Sequence, residues 1–303
     1  MNPEPPERKI SGNPPAPTEL EQQNTRHLRH DRRVTKSNTP HTFSNSARRF
    51  LPVLLAVSGV LAPVLAAAPR AEAVVGGTAA TRGQFAPIVS VQRGTENHSC
   101  AGTLIAANRV LTSAQCVDGA TATGLTVVAG RHHLSGNTPQ QQAVGVTQIV
   151  KHSEYRATTH ANDIAILKLK KSLAVDGIYV ALATLPGTSA GTPTGDVIIA
   201  GWGATREGGP VSDSLQWVEI PCVTQAQCKT AYGASAIYPG MVCAGVLSIG
   251  GKGACASDTG DPVFKGHTIV ALHSWRRGCA RPPYPDVNSG ISYYRSWIDA
   301  NIN

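Results

Sequence analysis

From residue 74 onward the sequence is a succession of short β-rich runs separated by Gly, Pro, Asn and Asp. Such runs stand at Ile88–Gln92, Arg109–Ser113, Leu125–Ala129, Gly145–Val150, Ile164–Leu169, Val197–Ala200, Leu215–Ile220 and Thr268–Ser274. Branched side chains pack well on a pleated surface, and the residues between the runs supply the backbone angles that turns require. Many short strands at this spacing can bury one face each only by closing into a barrel or stacking as a sandwich. One helix is predicted, Tyr293–Ile302, where Tyr294, Trp297 and Ile298 fall on one face. No repeat of roughly 20–50 residues is present, which excludes a solenoid.

Seven cysteines, Cys100, Cys116, Cys222, Cys228, Cys243, Cys255 and Cys279, all follow residue 99. None forms a C-x-x-C pair, so zinc and dithiol redox sites lack their spacing. Pairing depends on the compartment, and the segment from Phe50 to Ala68 bears on that. It is apolar, follows Arg48 and Arg49, and is succeeded by small residues, the layout of a signal peptide. Pro52, Gly59 and Pro63 weaken it as a membrane span, so membrane attachment is expected only if it is retained as a signal anchor. Ala71-Glu72-Ala73 has the small-x-small form of a cleavage site, and a cut after Ala73 makes Val74 the new amino terminus of a secreted product.

Three regions follow from this: a polar, disordered tail over 1–49, a signal segment over 50–73, and a folded domain over 74–303. The net charge of +8 is spread over both parts, with 10 Lys/Arg against 6 Asp/Glu before residue 74 and 17 against 13 after it. A surplus so diffuse argues against nucleic acid as a partner.

The stretch that carries chemistry is Cys255-Ala256-Ser257-Asp258-Thr259-Gly260-Asp261-Pro262. It resembles the nucleophile loop of trypsin/chymotrypsin-family serine proteases, whose pattern is C-x-G-D-S-G-G-P. Further landmarks come in the family's order across residues 74–303. They are Val74-Val75-Gly76-Gly77, Cys100-Ala101-Gly102-Thr103-Leu104, Gly201-Trp202-Gly203, Ser274-Trp275 and Gly278-Cys279-Ala280. The runs GWGATREGG, MVCAGV and GCARP are similar to fungal and insect trypsins. The resemblance implies an all-β chain of two packed six-stranded antiparallel barrels with a C-terminal helix. It also implies the bridges Cys100–Cys116, Cys228–Cys243 and Cys255–Cys279, each contributing about 2–4 kcal/mol, and leaves Cys222 as a buried, inert thiol. A freed Val74 α-ammonium is expected to pair with Asp258.

The same resemblance exposes departures at the chemistry. The family's general-base histidine position holds Gln115, the aspartate is kept as Asp163, and the nucleophile position holds Thr259. A carboxamide takes no proton near neutral pH. Asp163 is expected to accept a hydrogen bond from the Gln115 amide. The oxyanion hole is made by Ser257 and Thr259, where Ser257 replaces a glycine and its β-carbon is expected to hinder the glycine-type backbone. His273 is the one other histidine to consider as a base, if its ring comes within about 3 Å of the Thr259 hydroxyl.

In the specificity pocket, Gly253 stands where trypsins carry an acid, while Asp286 brings an acid to the opposite wall beside His273, Ser274, Trp275 and Arg276. Either Asp286 binds a basic side chain, or Asp286 and His273 fill the pocket and pair; Arg276, replacing a glycine at the entrance, fits the second. No cofactor is expected, and no metal, since Asp118 is the only acid between Val117 and Leu134.

The expected function is a secreted, proteolytically inactive homologue that binds a protein partner or target enzyme, as the similar oomycete glucanase inhibitor proteins do. The alternative is a weak endopeptidase or esterase using Thr259.

Overall fold

The computed structural model describes residues 74–303, so the tail, the signal segment and the Ala73–Val74 junction lie outside the described residues. A two-residue strand, β1 (Thr78–Ala79), leads into β2 (Ile88–Arg93), β3 (Cys100–Ala106), β4 (Arg109–Thr112), β5 (Leu125–Ala129), β6 (Gln142–Lys151) and β7 (Ala165–Leu169). Strands β2 to β7 close into an antiparallel barrel in the order β2-β3-β4-β7-β6-β5. Its interior is apolar, with Val89, Val91, Leu104, Val110, Val127 and Leu167 buried together.

The second barrel uses β8 (Asp196–Gly201), β9 (Gln216–Val223), β10 (Met241–Ala244), β11 (Pro262–Lys265), β12 (Thr268–Trp275) and β13 (Asp286–Gly290). These run β9-β10-β13-β12-β11-β8, closed by the β8–β9 pairing, with β1 added outside β9. The chain therefore has the two six-stranded barrels that the resemblance implies. Among the described residues three α-helices accompany them: α1 (Ala114–Val117), α2 (Gln225–Tyr232) and α3 (Ile291–Asn301). Ile298 and Tyr294 of α3 pack with Leu111 and Ile166 of the first barrel and with Phe264 and Leu272 of the second. That shared core fixes the two barrels against each other, and hence the groups that each sends to the cleft between them.

Five strands escaped the pattern of β-rich runs: β1, β3, β10, β11 and β13. In β13, Asp-Val-Asn-Ser-Gly is a turn-like composition, yet all five residues are buried. Its polar side chains are answered internally, with Asn288 Nδ2 donating to Val242 O at 3.3 Å and Ser289 Oγ to Asp163 O at 2.8 Å. Helix α2 also escaped, because Cys228 is its only buried residue. A capping box starts it instead: Thr224 accepts from Gln227 N while Gln227 Oε1 accepts from Thr224 N. Cysteines 100–116, 228–243 and 255–279 are bonded, and Cys222 is a free, half-buried thiol whose pKa burial raises.

Candidate functional site

From the first barrel comes the short helix α1, capped by the Ser113 hydroxyl, which accepts from Cys116 N at 3.1 Å. The Cys100–Cys116 bond ties the helix to β3, and Gln115 is its one exposed residue. Asp163, sealed at 0% exposure, precedes β7. Its Oδ1 accepts from the Gln115 backbone N–H at 2.7 Å and its Oδ2 from Ser274 Oγ at 2.5 Å. Burial pushes this carboxyl up to about 6, against the pull of the Ser274, Gln115 and Ala114 donors. The expected bond from the Gln115 side chain is thus replaced by one from its backbone. The helix turn points the N–H inward and leaves the carboxamide on the cleft.

The second barrel supplies the loop before β11. Thr259 is half-buried and lines the cleft. Ser257 adopts φ of +69°, the left-handed region that glycine favours. The β-carbon therefore strains this conformation, by about 1–2 kcal/mol, without preventing it. Among the described residues, neither the Ser257 nor the Thr259 backbone N–H donates to another protein group. Gly260, with φ of +81°, brings the loop so close to Ala101 O that a β-carbon would collide with it, while its N–H donates to His273 O at 2.9 Å.

His273 does not serve Thr259. Its ring is fully buried, Nδ1 lies 3.3 Å from Asn288 Oδ1, and Nε2 has no partner. Burial holds the imidazole down at about 3, so it stays neutral. It does not pair with Asp286 either. His160 lines the cleft against Trp275, with ring centroids 6.1 Å apart, and burial lowers its pKa as well.

Behind the loop, Asp258 accepts from Gly203 N at 2.8 Å and from Cys255 N at 2.7 Å. Val74 packs fully buried in the second barrel's core; in the uncut chain its nitrogen is an uncharged peptide group. Asp261 lies beside Asp258, fully buried, and neither of its carboxyl oxygens has a hydrogen-bond partner among the described residues. Burial raises both, and the mutual repulsion raises Asp261 well above the usual carboxylate range. The Gly201-Trp202-Gly203 landmark has a reason here. A β-carbon on Gly201 would strike the Asp261 carboxyl and one on Gly203 the Asp258 carboxyl.

At the specificity pocket, Asp286 Oδ2 accepts from Ala254 N at 2.7 Å and occupies the space beside Gly253. It is 3% exposed and pushed up to about 7 by burial. The groups that meet solvent form a cleft of about 420 Å³ that includes Gln115, His160, Thr259, Ser274, Trp275 and Arg276. Glu207 also lines it, and pairs with Arg281 at 2.8 Å.

Sequence reasoning missed that Asp261, an acid where the family pattern has glycine, is buried beside Asp258; an acid three residues after another in a buried loop was the available signal. It missed Glu207, which no motif marks.

A family model described as Trypsin matches residues 74–298. Trypsin-1 of Astacus astacus is 39% identical over 238 residues, spanning 75% of this chain and 99% of that protein. Trypsin I-P1 of Gallus gallus is 32% identical over 252 residues, 83% of this chain and 98% of its own length. The vitellin-degrading protease of Bombyx mori is 37% identical over 209 residues, 68% of this chain and 76% of that protein.

Proposed function

The chain belongs to the trypsin family, and we propose that it is a secreted member that holds a protein or peptide in its cleft without cutting it. The observation that carries this reading is the partnership of Asp163. In a working triad the buried carboxylate orients an imidazole, which removes the hydroxyl proton as the nucleophile attacks. Here Asp163 is occupied by Ser274 Oγ and the Gln115 backbone N–H, and Gln115, which lines the same cleft as Thr259, carries a carboxamide. No described imidazole bonds to the Thr259 hydroxyl, so its proton has no acceptor of suitable pKa. Loss of triad members in related enzymes costs on the order of 10⁴–10⁶ in turnover.

A second reading has one observation in its favour. The Ser257 and Thr259 N–H groups lack internal partners and suit a developing oxyanion, which alone gives residual rate. A weak endopeptidase or esterase using Thr259 is therefore the alternative.

One set of assays separates the two. The secreted domain is incubated with peptide and ester substrates and with a fluorophosphonate, beside Thr259→Ala and the Gln115→His/Thr259→Ser double variant. The non-cutting reading expects no turnover and no adduct in the natural chain. Turnover that disappears in Thr259→Ala overturns it.

A further inference from the structure

We propose that the cleft is a receptor for the free carboxylate end of a peptide chain, an inference that rests on the non-cutting reading. Thr259, Gln115 and Arg276 line the cleft together. The Thr259 N–H and hydroxyl bond to no group among the described residues, and the N–H of Ser257, two residues earlier in the same loop, is likewise without an internal acceptor. The exposed Gln115 adds a carboxamide. Arg276 brings charge: it makes no ion pair among the described residues and has a buried Nε without a partner.

The acids nearby are all answered. Glu207 is paired with Arg281, Asp163 is sealed under Ser274 with its oxygens bonded, and Asp286 is buried against the Ala254 N–H. Among the lining residues Arg276 is the one Lys or Arg, and the one acid, Glu207, is taken by Arg281. The cleft therefore presents a cation with no ion-pair partner and a set of donors.

That set suits a carboxylate better than an internal peptide carbonyl. A carboxylate has two charged oxygens and accepts charge-assisted hydrogen bonds, roughly twice as strong as neutral ones. A carbonyl gives one neutral oxygen. An imidazole at position 115 would donate from both nitrogens only when protonated, whereas the Gln115 amide donates at every pH. The exchange that removes the base thus adds a permanent donor where a cleaved chain would place its new terminus.

The probe is a pair of degenerate N-acetyl tetrapeptide mixtures, identical except that one ends in a free carboxylate and the other in a carboxamide. Binding to the secreted domain is followed by calorimetry, with mass spectrometry of the peptides afterwards. The expected result is a preference for the carboxylate form of about tenfold or more, which falls toward equality in Arg276→Gln and weakens in Thr259→Val. Equal binding of both forms, binding of neither, or a preference untouched by Arg276→Gln overturns the proposal. Shortened peptides in the mass spectrum sink the non-cutting reading instead, so the two failures are distinct.

Discussion

Replacing Asp286 by asparagine tests the electrostatic account of the second barrel. Burial lifts the Asp286 carboxyl from 3.8 to about 7, even though the Ala254 N–H and the Arg276 charge pull the other way. A tenfold change in proton affinity is about 1.36 kcal/mol, so holding Asp286 ionised in the fold costs about 4 kcal/mol relative to the unfolded chain. The folded chain binds this proton more tightly than the unfolded one. Its stabilising contribution is therefore whole below about pH 4, shrinks as the pH rises and is gone above about pH 7. Asparagine keeps an oxygen to accept from Ala254 N and carries no charge to desolvate. Urea unfolding from pH 4 to pH 8 should show the natural chain losing stability against Asp286→Asn across that window, by about 4 kcal/mol at the alkaline end. Curves that run parallel within about 1 kcal/mol would refute the claim that this carboxyl is kept neutral by its surroundings.

Other substitutions test separate parts of the account. Asp261→Asn removes a buried carboxyl that burial holds well above the usual range; its melting temperature should exceed that of the natural chain at neutral and alkaline pH and match it in acid. Ser257→Gly removes the left-handed strain and should raise stability by up to about 1 kcal/mol in urea unfolding, the looser unfolded chain offsetting the rest. Ile298→Ala empties a fully buried site in the core that both barrels share, and should cost about 2–5 kcal/mol by the same measurement. Cys222→Ser should leave the three bridges intact on a non-reducing gel and change stability by less than about 1 kcal/mol.

Strands rich in branched residues, such as β2 and β5, announce themselves between turns even though most of their residues are buried. A buried strand of polar residues does not. The β13 strand has the composition of a loop, and only the tertiary partners of Asn288 and Ser289 make it tolerable as interior. The same limit applies at the site. Motif order located Gln115, Asp163 and Thr259, since position in a loop is a property of the chain. What each side chain touches is a property of the packed protein, which is why the donor to Asp163 proved to be the backbone of Gln115 and why His273 turned to Asn288.

The pair Asp258 and Asp261 carries this furthest. In the sequence, Asp261 is an acid where the family pattern has glycine, and it reads as damage to the loop. In the fold its carboxyl lies against the carboxyl of Asp258, in a space kept open by the missing β-carbons of Gly201 and Gly203. Burial raises both carboxyls and their mutual repulsion raises Asp261 further, so ionising both together is disfavoured. A Val74 α-ammonium arriving there would meet two buried carboxyls rather than a lone one. The departures from the protease pattern thus fall into two kinds. Gln115 and Thr259 line the cleft, whereas Asp261 is buried behind it. The Gln115→His/Thr259→Ser double variant is therefore the test of catalysis, whatever stands at position 261.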